Sequence, residues 1–297
     1  MTRICWWCVD IVARMLEPDE RDAVRGDFAE SGETSGQALR GLLGLVLRRQ
    51  SALWRKWRPW LALLGAVAPF AILLSLVSRR MAQSSAVTSW LYLNNWDWTY
   101  VRNTGFRLDF ARDVAFVLFG FLLLSCWSWT SGFVLGYLSR RAIWINGALF
   151  CLVLMTVDLL GMPRFLVRSL LLSRADTFSA NAVVFAGAFY RQVFPLIVHT
   201  VLVLLPSLWG MRQGLRLAAL PLPLQTTLWA SLALAMTTLA MQNLVWWQVR
   251  TWYLEPPPLP HLPSLAPLAI IGPLGYILVT TIGRRWSGYR SSRLSHP

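Results

Sequence analysis

The sequence predicts an all-α protein: a six-span transmembrane helical bundle with a small N-terminal cytoplasmic helical head. Three observations carry this. Hydrophobic residues make up 56% of the 297 and charged residues 14%, against roughly 25% charged in an average soluble domain. The apolar residues gather into runs close to the ~20 that a helix needs to cross a hydrocarbon core. The charges are segregated: eight of the 14 acidic residues lie in the first 33 positions, while arginines flank the apolar runs.

The head, residues 1–57, reads as three helices. Residues 3–16 place Ile4, Trp7, Ile11 and Met15 at helical spacing, with Arg3, Asp10 and Arg14 between them. A second helix begins at Pro18, whose fixed φ suits a first turn, with Asp19 and Glu20 beside the amino-terminal dipole; Gly32 ends it. A third begins at Thr34 or Ser35, where Thr34 and Gln37 fit a capping box, and continues through Leu39, Leu42, Leu43, Val46 and Leu47. Its basic end, Arg48, Arg49, Arg55, Lys56 and Arg58, belongs at a cytoplasmic headgroup layer.

Within this head, the run Met15-Leu-Glu-Pro-Asp-Glu-Arg-Asp-Ala-Val-Arg-Gly-Asp-Phe-Ala-Glu30, followed by Ala38 to Gln50 and by Leu53-Trp54, resembles the permease prefix domain. That cytoplasmic helical module precedes the spans of certain bacterial ABC-type export permeases and of other multipass proteins. The resemblance covers residues 1–58 and implies a bacterial inner-membrane protein. Downstream the chain departs from the permease pattern, because no stretch is long enough for the large extracytoplasmic domain of such permeases. Transport activity is therefore not implied.

The bundle, residues 58–283, opens with the apolar stretch Trp57–Arg80, uncharged between Arg58 and Arg79. The segment from Arg79 to Arg112 then carries Trp90, Tyr92, Trp96, Trp98 and Tyr100 among polar residues, the composition of an aromatic belt on the outer surface. Further spans are expected at 114–138, closed by Arg140 and Arg141, at 142–160, at 183–209, at 224–245 and at 265–282, closed by Arg284 and Arg285. Between the third and fourth, residues 163–174 fit an interfacial helix with interspersed arginines. The last 14 positions, 284–297, form a basic tail expected to be disordered.

An even number of spans puts both termini on one side, and the basic residues favour the cytoplasm for both. The net charge of +14 is accounted for by arginines anchoring spans to lipid, so the bilayer is the expected partner and nucleic acid is not. Membrane anchoring is assigned to Arg48, Arg49, Arg55, Lys56, Arg58, Trp90, Trp96, Trp98, Arg140, Arg141, Arg284 and Arg285.

Chemistry inside the bundle would rest on three ionisable residues. Asp158 and Arg191 lie toward the outer side and can pair, and His199 lies about 12 Å deeper than Arg191 by helical rise. Together they would line a polar cavity for an anionic or lipid-linked substrate; the plainer reading is a structural ion pair and one hydrogen-bonded histidine. Cys5 and Cys8 have C-x-x-C spacing without the further ligands or the βαβ context of a zinc or redox site, so no metal is expected. No phosphate-binding loop, H-E-x-x-H or G-x-S-x-G occurs, and no cofactor is expected. Gly132-Phe-Val-Leu-Gly136 permits close helix approach, expected within the chain rather than between chains. The function expected from the residues is a non-enzymatic accessory or regulatory role, with a membrane-protein partner docked through residues 1–57. The alternative is a small transporter or intramembrane enzyme centred on Asp158, Arg191 and His199.

Overall fold

The protein was analysed as a computed structural model, which describes residues 2–13, 16, 18–32, 34–94, 97–139, 142–156, 193–216, 222–251 and 263–294. All regular elements among the described residues are helices. Five of them are long and apolar enough to cross a membrane: Pro59–Ala82, Thr104–Leu138, Phe194–Gly214, Leu222–Asn243 and Leu265–Gly283. The third expected span, 142–160, is described as the shorter apolar helix Ile143–Thr156, and its last residues lie outside the described residues. The chain is thus a multipass helical membrane protein.

The head comprises α1 (Thr2–Ala13), α2 (Pro18–Ser31) and α3 (Ser35–Trp54). Gly32, at φ +62°, ends α2 in the left-handed region that glycine enters without a steric cost. Thr34 then starts α3: its N–H and its Oγ1 both donate to Gln37 Oε1, at 3.2 and 2.8 Å, which seats the chain at the helix start as the capping-box spacing predicts. Val9, Ala13 and Leu16 bury against Ala38, Leu42 and Val46, flanked by Val24 and Phe28 of α2. The face of α1 turned inward therefore differs from the expected one, and Trp7 is 65% exposed. Small side chains let α1 and α3 approach; an indole at that contact would hold them apart. On α3 the spacing Ala38, Leu42, Val46, Gln50 is buried, whereas Leu43 and Leu47 are exposed.

The bundle begins with α4 (Trp57–Ala62), continues through a π-helical segment, Leu63–Val67, into α5 (Ala68–Asn94), and returns through α6 (Thr104–Leu138). The expected outer loop is therefore shorter than the sequence suggests. Both helices run on past the apolar region, because extending an existing helix costs far less than nucleating one. Next come α7 (Ile143–Thr156), α8 (Phe194–Val198), a second π-helical segment His199–Leu204, α9 (Leu205–Gly214), α10 (Leu222–Thr251), a 3-10 segment Pro263–Ile270 and α11 (Ile271–Leu294). The backbone of α11 stays helical to Leu294, so most of the tail expected to be disordered extends the last span instead, by the same propagation argument.

Helices α6 and α9 form the closest contact. A Cβ placed on Gly132 would stand 2.0 Å from the Ser207 carbonyl oxygen, and one on Gly136 2.2 Å from that of Met211. Gly210 and Gly214 answer from the other side, where an added Cβ would stand 2.2 Å from the carbonyl oxygens of Trp129 and Phe133 respectively. The contact advances by the same four residues on both helices, so they run parallel, with α7 on the path between them. The Gly132–Gly136 motif thus works within the chain, paired with a second of the same spacing. Against this pair pack α10, through Leu228 and Leu232, and α11, through Val279 and Tyr276.

Candidate functional site

Of the three ionisable residues expected to form a site, Asp158 and Arg191 lie outside the described residues. His199 is buried, 1% exposed, where α8 passes into the second π-helical segment. Its Nδ1 is 2.9 Å from Ser78 Oγ on α5. Ser78 Oγ also lies within hydrogen-bond distance of the Ser75 carbonyl, at 3.1 Å, so the serine hydroxyl bridges its own helix and the imidazole. Ser78 is four residues from the end of the first span at Ala82, about 6 Å by helical rise. His199 therefore sits toward the end of the bundle remote from the head, shallower than a depth of about 12 Å below Arg191 suggests. A histidine paired with a hydroxyl in this way joins two spans.

Other buried polar side chains pair across helices. Trp127 Nε1 donates to Thr238 Oγ1 at 2.9 Å, Trp129 Nε1 to Gln213 Oε1 at 2.8 Å, and Ser207 Oγ to the Ser128 carbonyl at 3.0 Å. These links join α6 to α10 and α9. Sequence reading passed over them, since a tryptophan in an apolar run shows nothing of where its N–H points. Asn243 bonds the Leu239 carbonyl of its own helix at 2.9 Å, and Asn146 bonds Ser139 Oγ at 2.9 Å near the α6–α7 turn.

Beyond the first span, the end of α5 meets the start of α6. Tyr92 Oη donates to Asp113 Oδ2 at 2.7 Å, and its ring meets those of Phe106 and Phe110 edge to face. That hydrogen bond, then burial, then the negative charges of Asp113 and Asp109 push the Tyr92 hydroxyl up to about 12. In the connecting loop Asp97 accepts from the Thr99 N–H at 2.9 Å, and the Thr99 backbone and side chain hold its carboxyl below the usual range.

The anchoring residues divide. Arg48, Arg55 and Lys56 are exposed, as is Trp98 at 75%. Arg49 pairs with Glu20, which ties α3 to α2. The backbones of Arg58, Trp90, Arg284 and Arg285 are helical; Trp96, Arg140 and Arg141 lie outside the described residues. Cys8 is a free, half-buried thiol. Among the described residues no three His, Cys, Asp or Glu side chains gather as metal ligands.

Compared with family models, with curated proteins and with solved structures, the chain matches none.

Proposed function

We propose that this protein is a non-enzymatic accessory or regulatory component of the bacterial inner membrane, with both termini cytoplasmic, that docks a membrane-protein partner through residues 1–57. The observation carrying the reading is that the head has its own apolar core around Ala38, Leu42 and Val46, yet leaves Trp6, Trp7, Leu43, Leu45 and Leu47 exposed. Exposed apolar side chains on a small folded unit mark an interaction surface. Tryptophan is among the residues most enriched where binding energy concentrates. The resemblance of residues 1–58 to a permease prefix domain points the same way. His199, the centre of the transporter or enzyme alternative, is hydrogen-bonded to a serine hydroxyl, as in a structural role.

Deleting residues 1–50 in the native host tests it. The shortened chain is expected to insert in the membrane at the full chain's level and to lose whatever membrane protein co-purifies with the full chain. Unchanged co-purification would reject the proposal, as would a full chain that brings down no membrane protein.

A further inference from the structure

We infer that the bundle carries a binding groove for one acyl chain of an anionic phospholipid in the leaflet on the head's side. A cavity of about 250 Å³ opens between α6, α9 and α11. Ser125 and Trp129 of α6, Trp209 and Gln213 of α9, and Pro273 and Ile277 of α11 lie along it. All three helices are membrane-spanning. Trp209 and Ile277 are 62% and 57% exposed, so the mouth faces the surrounding hydrocarbon.

Chemistry narrows the occupant. The volume would hold several waters, but the walls are almost wholly apolar, and a buried water needs two to four polar partners. An empty groove would forfeit dispersion contacts along its whole lining. Flexible hydrocarbon at bilayer depth supplies them, and the bilayer offers it as acyl chains.

The groove also has a direction. Trp129 and Gln213 mark its end toward the α9 carboxyl terminus, where the indole N–H holds Gln213 Oε1 and leaves the amide NH2 as donors. Arg212 and Arg216, both exposed, stand at the same end. Helices α6 and α9 both travel toward the head's side of the membrane. This end therefore lies in the leaflet beside the basic residues Arg48, Arg55 and Lys56. A phosphodiester with net negative charge complements it, and a zwitterionic headgroup does so less well.

The test uses the full chain in nanodiscs containing phosphatidylglycerol or phosphatidylcholine that carries a photoactivatable diazirine near the end of one acyl chain, with adducts mapped by peptide mass spectrometry. Expected are adducts concentrated on residues 125–129, 206–213 and 273–277 and favouring phosphatidylglycerol. Ser125→Phe should fill the groove and abolish them. Arg212→Gln should cut the phosphatidylglycerol preference roughly fivefold, the effect of one basic residue at a charged surface. If Ser125→Phe does not fold, Ile277→Trp fills the mouth from the third helix, and the wild-type adduct map still decides. Adducts spread evenly over lipid-facing residues such as Phe116 and Leu118, equal labelling by the two lipids, or crosslinks to a second copy of the chain at the groove would each overturn the inference.

Discussion

Tyr92 is a single side chain whose environment can be read in solution. Its hydroxyl donates to Asp113, and ionising it would both break that bond and place a second negative charge beside the carboxylate. The folded value of about 12 lies above the ordinary tyrosine value of about 10. The contribution to stability is therefore complete below about pH 10 and is lost as pH rises through about 12. In a spectrophotometric titration of the folded protein, one tyrosine should ionise last, and Tyr92→Phe should remove that step. Asp113→Asn should bring it back toward the ordinary range, since the partner's charge goes while the ring stays. A late step unchanged in Tyr92→Phe would assign it to another of the seven tyrosines.

At the scale of elements, the α6–α9 contact makes a prediction of opposite signs for one chemical change. Gly132→Ala would drive a Cβ against the Ser207 backbone, which cannot rotate aside. Overpacking of this kind costs about 1–3 kcal/mol, and Gly210→Ala should do the same from the facing helix. Gly65→Ala, with nothing within 4 Å of the new methyl, should be neutral or stabilise by up to about 1 kcal/mol, because alanine is the better helix former. Resistance of the purified protein to unfolding in mixed micelles of mild detergent and SDS measures all three; equal loss at Gly65 and Gly132 would show that the close approach does not matter. How much of this was legible follows from what a pattern can encode. Gly132–Gly136 was visible as a spacing, and Gly210–Gly214 has the same spacing and could have been paired with it. The run lengths of the spans were likewise legible, since bilayer thickness sets them. The inward face of α1 was not, because Trp7 and Ile11 fit the helical period as well as Val9 and Ala13, and closeness of packing rather than hydrophobicity chose between them. The depth of His199 was missed for a related reason: counting residues along one helix does not reveal the level at which its partner Ser78 meets it.

On the scale of the whole molecule, the chain joins two units stabilised in different solvents. In the head, apolar burial against water supplies the drive. In the bundle, lipid is as apolar as leucine, and close backbone packing with interhelical hydrogen bonds such as Trp127 to Thr238 takes over. Among the described residues the units meet where α3 gives way to α4: Trp60 Nε1 donates to the Trp54 carbonyl at 2.9 Å, with the two rings edge to face at 5.0 Å. A join of that size couples them weakly, so unfolding should not be two-state. Urea should melt the head in an early transition and leave the bundle helical in its micelle. Leu42→Ala removes a side chain 1% exposed at the centre of the head and should cost about 2–5 kcal/mol there, shifting the first transition to lower urea. The Glu20–Arg49 pair is partly exposed, so Glu20→Gln should shift it by less than about 1 kcal/mol. Neither change should move the second transition, followed by circular dichroism, whereas Gly132→Ala should move only that one. A single cooperative transition displaced by both Leu42→Ala and Gly132→Ala would mean that head and bundle fold as one body, and the head would then be a structural part of the bundle rather than a separable docking module.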